Sequence, residues 1–208
     1  MIDSTKHHWD TIYQTKAENE VSWYQTYPSS SMKMIESYNL PLNANIIDIG
    51  GGDSRFAEAL IDKGYTNIHV LDISESAILR AKERLGEKSS VIQWIVSDVT
   101  DFEPSVKFDC WHDRAAFHFL TTEDQVNKYV TLVNKAVKQE GCLVIGTFSE
   151  KGPLKCSGLE IKQYSEASLA ERFGGSFQLV ECFYEDHHTP FQSVQNFVFC
   201  SFRKRSSK

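Results

Sequence analysis

Asn45-Ile46-Ile47-Asp48-Ile49-Gly50-Gly51-Gly52-Asp53-Ser54 is a short apolar run interrupted by one carboxylate, followed by three consecutive glycines. An apolar run of this length bounded by glycine reads as a buried strand. The glycines leave no side chain where the backbone turns sharply or where a ligand comes close to it. Beyond them, Phe56 with Leu60 and Ala57 with Ile61 recur at helical spacing, predicting a helix from about Ser54 to Lys63 that Gly64 ends. Strand, glycine turn and helix together form the first unit of an open α/β sheet. Such sheets receive ligands at the carboxyl ends of their strands.

The same alternation continues outward. Strands are expected at Ile68–Asp72, Val91–Val96, Phe108–His112 and Cys142–Phe148. A helix capped by Ser74 follows the second, and a Thr122/Gln125 capping box opens a helix carrying Val126, Tyr129, Val130, Val133 and Val137. After a loop from Ser149 to Gly158, a short helix spans about Ser165 to Phe173. The strands Phe177–Tyr184 and Val194–Phe202 have no room for a helix between them, so they are expected to pair as an antiparallel hairpin on the sheet edge. Residues 1–43 hold an aromatic-rich stretch and one helix near Ser29–Tyr38, and Arg203–Lys208 read as a frayed basic tail.

Composition bounds the rest. The chain has 208 residues, 41% hydrophobic and 24% charged, which suits one globular domain. A net charge of -6 disfavours a general nucleic-acid binder, whose affinity comes from neutralising phosphates. The longest apolar runs are too short for a membrane span, and Met1–His8 lacks the pattern of a secretory signal. The five cysteines are odd in number, scattered, and form no Cys-x-x-Cys pair. This argues against a disulfide framework or a zinc site and for a reducing cytoplasm. No metal ligand set is expected. The pairs His7-His8 and His187-His188 lack partners at metal-binding spacing, and His187-His188 are placed in the hairpin loop.

Two further acids sharpen the reading of the glycine turn. Asp72 ends the second strand, where a carboxylate accepts hydrogen bonds from the two hydroxyls of a ribose. Asp98 ends the third, where it can accept from an adenine amine while the Val99 N–H serves a ring nitrogen. An adenosine ligand points to either a dinucleotide or S-adenosylmethionine. Arg55 stands where the dinucleotide fingerprint needs its third glycine. Asp48 would also repel a pyrophosphate, whereas it attracts a cationic sulfonium or ammonium.

Ile47-Asp48-Ile49-Gly50-Gly51-Gly52, Leu71-Asp72-Ile73-Ser74, Ser97-Asp98-Val99 and Phe108 to Arg114, with the closing hairpin, resemble the class I S-adenosylmethionine-dependent methyltransferases over about residues 44–202. The resemblance implies a Rossmann-like seven-stranded mixed sheet in the order 3-2-1-4-5-7-6, its last strand antiparallel, with helices on both faces. It implies S-adenosylmethionine as methyl donor and S-adenosylhomocysteine as product. Carried over by position, Asp48, Gly50, Gly51 and Gly52 hold the methionine part, Asp72 and Ile73 flank the ribose, and Asp98 and Val99 take the adenine. Residues 1–43 become a lid, with Tyr13, Trp23 and Tyr24 over the cofactor. Aromatic faces attract a sulfonium, although Trp9 and Trp23 would equally serve to anchor the segment to the core.

Family members place substrate-facing groups after the fourth strand. Asp113, Arg114 and His118 are therefore the candidates to orient or deprotonate an acceptor. The competing expectations are an internal Asp113–Arg114 ion pair and a core-facing His118. Cys156, in the loop after the fifth strand, is expected to be incidental. The length of the chain favours a small-molecule acceptor, handled by a monomer or homodimer. A methyltransferase of protein lysine or another macromolecule and a non-catalytic S-adenosylmethionine-binding regulator are the alternatives, with a nicotinamide oxidoreductase disfavoured by Arg55.

Overall fold

The computed structural model describes residues 2–206. Two helices lead, α1 (Ile2–Thr15) and α2 (Ser29–Ser37). The alternating part follows as β1 (Asn45–Ile49), α3 (Phe56–Asp62), β2 (Asn67–Asp72), α4 (Glu75–Leu85), β3 (Ile92–Val96), β4 (Phe108–Arg114), α5 (Glu123–Ala136) and β5 (Val137–Phe148). A small hairpin, β6 (Lys155–Cys156) and β7 (Leu159–Glu160), precedes α6 (Glu166–Phe173), β8 (Phe177–His188) and β9 (Val194–Lys204). The main sheet has seven strands in the order β3-β2-β1-β4-β5-β9-β8. Counting its strands alone, this is the expected 3-2-1-4-5-7-6. Strands β1 to β5 are parallel, and only β9 runs against its neighbours.

Alternate residues of each central strand serve two apolar layers, as a two-residue period requires. Ile46, Val70, Cys110 and Val144 pack on one face with Met34 and Ile35 of α2 and with Phe56 and Leu60 of α3. Ile47, Leu71, Trp111 and Leu143 pack on the other with Val126, Tyr129 and Val133 of α5 and with Phe173 of α6. The expected caps are made. The Ser74 and Thr122 hydroxyls accept from the N–H of Ala77 and of Gln125.

Several expectations need correction. Helix α1 was not read from the sequence, because much of its attachment to the body is polar. Strand β5 starts at Val137, since Val137 leaves the helix and pairs with Phe108. The loop after β5 contains a hairpin whose two turn residues, Ser157 (φ 50°) and Gly158 (φ 81°), are both left-handed, as the tightest hairpins need. His187 and His188 lie in β8, not in a loop. Cys182 and Cys200 form a disulfide between β8 and β9. They are far apart in sequence but direct partners in the antiparallel register. With that bond present, the cysteine pattern no longer argues for a reducing compartment. Among the described residues no helix is long and apolar enough to cross a membrane.

Arg203 and Lys204, assigned to a frayed tail, instead end β9. The buried Lys204 ammonium donates to Asn134 O and Val137 O (2.9 Å to the latter), satisfying carbonyls at the end of α5. Replacing Lys204 by Met should therefore cost about 1–2 kcal/mol. Urea unfolding measures it; an unchanged midpoint would show that the amine contributes nothing there.

Candidate functional site

The carboxyl ends of the parallel strands converge on the glycine turn. Gly50 has φ +62°, and a Cβ there would meet Ala116 Cβ at 2.6 Å. A Cβ on Gly51 would stand 2.3 Å from Asp48 Oδ2, and one on Gly52 2.5 Å from Asp72 Oδ2. Backbone and carboxylates are thus packed too closely for any side chain on the turn. The sheet register explains why these groups meet, since Asp48 and His112 are neighbours across β1 and β4. His112 Nδ1 lies 2.7 Å from Asp48 Oδ1, and its Nε2 lies 2.8 Å from Ser31 Oγ of α2. Phe56 stacks on the imidazole at 3.9 Å.

Asp72 is buried, and its Oδ1 accepts from Ser74 N–H at 2.7 Å. Burial pushes its carboxyl up to about 7; the negative charges of Asp48 and Asp10 add to the rise, while the N–H groups of Ser74 and Gly52 oppose it. Asp98 Oδ1 takes both Thr100 N–H and Thr100 Oγ1–H at 2.7 Å, capping the turn that follows β3.

Two cavities adjoin this turn. The larger, of about 410 Å³, is lined by Trp9, Tyr13, Trp23, Gly50, Asp72, Ile73, Asp98, Val99, Arg114, Phe119 and Cys156, among others. The smaller, of about 50 Å³, is bounded by Asp48, Gly50, Gly51, His112, Arg55, Tyr24 and neighbouring residues. Tyr13, Trp23, Gly50 and Arg114 face both. Of the residues expected at the site, Gly52 lies behind the turn against Asp72 and lines neither.

The candidates after β4 divide. Asp113 is fully buried and lines neither cavity; its carboxylate accepts from Ala116 and Phe117 N–H, both at 3.0 Å, and from Tyr129 Oη–H at 2.6 Å. Burial pushes Asp113 up to about 6 even though these donors pull it down. It shapes the turn and reaches no cavity. His118 also lines neither cavity and stacks on Phe148 at 4.5 Å, the core-facing position weighed against a catalytic one. Burial pushes it down to about 3, with the Arg114 charge adding. Only Arg114 of the three reaches the cavities. It makes no ion pair with Asp113; its Nη1 donates to Trp23 O at 3.0 Å.

The N-terminal segment is docked onto the amino end and the middle of α4. Asp10 Oδ1 accepts from Ser74 Oγ at 2.7 Å and Ser76 N–H at 3.1 Å, at the amino end of α4. Arg80 of α4 donates to Tyr13 O and Lys16 O at the carboxyl end of α1, and pairs with Asp53 beyond the glycine turn at 2.7 Å. Arg55 joins Glu18 at 2.9 Å. Above the larger cavity, Trp9 meets Trp23 and Phe119 edge-on, with centroids 5.7 and 5.0 Å apart. Trp9 and Trp23 thus anchor the segment and wall the cavity together. Asp10, Arg80, Trp9 and Phe119 were missed from sequence as site residues. Asp10 carried a usable signal, one acid in an aromatic segment, but its partners lie more than 60 residues away.

Residues 46–141 match the family of methyltransferase domains. The chain is 25% identical over 198 residues to EEF1A lysine methyltransferase 2 of Mus musculus, covering 85% of this chain and 73% of that protein. It is 29% identical over 119 residues to the eEF1A lysine and N-terminal methyltransferase of Mus musculus, but spans only 17% of that protein's length and 57% of its own. Malonyl-(acyl-carrier protein) O-methyltransferase 1 of Ilyobacter polytropus is 30% identical over 109 residues, 51% of this chain and 39% of that one. Among solved structures, that of the conversion of a disulfide bond into a thioacetal group during echinomycin biosynthesis has a TM-score of 0.79 at 16% identity, covering 98% and 94% of the two chains. The 1,6-didemethyltoxoflavin-N1-methyltransferase of Burkholderia thailandensis, holding S-adenosylhomocysteine, gives 0.70 at 18% identity, covering 98% and 85%. At these identities the structural likeness is one of fold.

The lid contacts make a testable arrangement. Although burial raises Asp10, hydrogen bonds from Lys6, Ser74 and Ser76 outweigh it and bring the carboxyl down to about 2. Its contribution is therefore complete above the ordinary carboxylate range and disappears as pH falls toward 2. Asp10→Ala should destabilise the protein by about 1 kcal/mol at neutral pH, and tryptophan fluorescence should report α1 loosened first. If the variant keeps both its midpoint and its emission, α1 is held by its apolar face alone.

Proposed function

We propose that the chain, whose residues 46–141 match the family of methyltransferase domains, is a class I S-adenosylmethionine-dependent enzyme that methylates a small-molecule acceptor inside the aromatic-walled cavity. The observation that carries this is the larger cavity itself. One space of about 410 Å³, within the range of small-ligand pockets, has Asp72 and Asp98 on one wall and Trp9, Trp23 and Phe119 on another.

The residues fit the cofactor. The cradle at Gly51 and Gly52, which any Cβ would fill, leaves the backbone bare beside two carboxylates. In this reading Asp48, Gly50 and Gly51 hold the amino-acid end, with Gly52 letting the turn pack on Asp72; Asp72 and Ile73 hold the ribose, and Asp98 with the Val99 N–H the adenine. Tyr13 and Trp23 close over the sulfonium end, where ring faces favour a cation. When bound, S-adenosylmethionine supplies an electrophilic methyl whose leaving group is neutral and needs no acid. What the protein adds is orientation, worth roughly 7–11 kcal/mol when reacting atoms are held in line, and exclusion of water by the lid. Asp113 and His118, being spent on the fold, supply no proton transfer.

A second reading, methylation of a protein lysine, draws on the similarity to EEF1A lysine methyltransferase 2 across most of the chain. It needs the Trp9–Trp23–Phe119 wall to admit a side chain from outside. Incubation with labelled S-adenosylmethionine and small thiols, acids, phenols and amines, beside eukaryotic or bacterial elongation factor, separates the two. Label in the factor alone would overturn the small-molecule reading. Firm binding of S-adenosylhomocysteine without transfer to any class would favour a non-catalytic binder.

The ribose assignment predicts a pH dependence. Asp72 must give up its proton to accept two hydroxyl donors, and burial raises it to about 7. Affinity for 5′-methylthioadenosine, which carries no charged amino-acid end, should thus rise nearly tenfold per pH unit up to about 7 and level off above it. Without ligand the sign reverses, because the folded state binds the proton more tightly than the unfolded one; stability falls as pH rises from about 4 to 7. Asp72→Asn should weaken binding tenfold or more and flatten the profile, as calorimetry at several pH values would register. A flat profile in the wild-type protein would remove Asp72 from the ribose.

A further inference from the structure

Arg55, Arg80 and Arg84, which surround the glycine turn, are each paired with a carboxylate. Arg114 is not, although it stands in the wall common to both cavities. Its Nη1 donates to Trp23 O, while its Nε and Nη2 are buried without any partner. Among the described residues no carboxylate lies within ion-pair distance of it. The guanidinium rests over the Phe197 ring at 5.1 Å, a contact that holds the plane and leaves its edge donors unused.

A cation in such a place is costly unless something compensates it. Burial lowers Arg114 to about 10, with the negative charges of Glu185 and Asp48 opposing the fall, so it stays charged at neutral pH. Its titratable neighbours do not change this. His118 and His187 are both held low by burial, with the Arg114 charge adding, and remain neutral. Burial raises the Cys156 thiol to about 11, which keeps it protonated. The Glu185 carboxylate is engaged with the Ser30 hydroxyl. The wall therefore carries one positive charge, with two donors free on a planar fork whose geometry matches an anion with two oxygens or one polarisable centre.

We propose that Arg114 seats a negative charge on the methyl acceptor, so that the acceptor class is small anions with an apolar body, carboxylates or thiolates, and not amines or neutral alcohols. The apolar body follows from the other walls, Trp9, Trp23, Phe119 and Ala115. An acceptor that arrives as an anion has no proton to lose, which accords with a site whose expected base candidates face the core. The proposal rests on reading the cavity as a site of methyl transfer.

The cofactor's own carboxylate is the other source of such a charge, and the test separates the two. Calorimetry on the S-adenosylhomocysteine-loaded protein would compare benzoate, phenylacetate and thiophenolate with benzamide. At least one anion should bind tenfold or more tightly than benzamide. Arg114→Gln should erase that preference, Arg114→Lys should keep part of it, and both variants should bind S-adenosylhomocysteine within about threefold of wild type. The wild-type comparison stands even if a variant fails to fold. Equal or absent binding of all three anions overturns the proposal. So does an Arg114→Gln variant that loses tenfold in S-adenosylhomocysteine affinity while keeping that for 5′-methylthioadenosine, which would assign Arg114 to the cofactor's carboxylate. Failure of the wild-type protein to bind S-adenosylhomocysteine at all would instead sink the methyltransferase reading, and is seen in the first titration.

Discussion

Two carboxylates press against a backbone that has no side chains to offer in return. Asp48 and Asp72 stand so close to Gly51 and Gly52 that a single added carbon would overlap an oxygen. Everything at the site follows from that contact. It sets the path of the chain from β1 into α3, and it brings two acids to the edge of one opening. Their charges are managed differently. Asp48 is held by His112 and the Ser54 hydroxyl, so its orientation is determined before any ligand arrives. Asp72 accepts from the Ser74 and Gly52 N–H groups, but burial outweighs them and pushes its carboxyl up to about 7. A ligand with hydroxyl donors and a positive charge would lower that cost, which is what the proposed ribose contact asks of Asp72.

The β1–β5 framework was legible because its signals are local. Ile46 and Ile47 point to opposite layers, and Ser74 and Thr122 accept the N–H bonds their spacing announced. The edges of the site were less so, because they depend on contacts between distant segments. Helix α1 is fastened by Asp10 and by Arg80, each meaningless until the other helix is in place. The disulfide joins residues 18 apart that only the β8–β9 register sets opposite each other. Asp113 was a candidate because the resembled family places substrate-facing groups after the fourth strand. Here the turn after the strand curls over it, and both its oxygens are engaged, by Ala116, Phe117 and Tyr129. A polar residue's type is readable from sequence; whether its hydrogen bonds are already taken is not.

The charges around the glycine turn form a graded set. Arg55, Arg80 and Arg84 cross-link the lid, the turn and α4 through Glu18, Asp53 and Glu58. These pairs are half-buried and brace a surface against movement more than they add stability. Arg80 is central among them, since one guanidinium reaches both the end of α1 and the far side of the turn. The N-terminal segment and the loop after the glycine turn are therefore tied to α4 through the same side chain.

Arg114 differs from these arginines in what it is joined to. Its single bond is to the main chain of Trp23, within the segment that closes the cavity, and its remaining donors meet nothing. The Trp23 carbonyl meets the guanidinium, but one neutral acceptor cannot offset a full buried charge. The closed arrangement is thus electrostatically incomplete by one negative charge on the β4 side, while the β1 and β2 side carries two acids. A bound pair made of a cation near Asp48 and Asp72 and an anion near Arg114 would satisfy both sides at once. The walls themselves then bring opposite charges together across the space between β1 and β4, and attraction between donor and acceptor is built into the order of the strands before any side chain acts as acid or base.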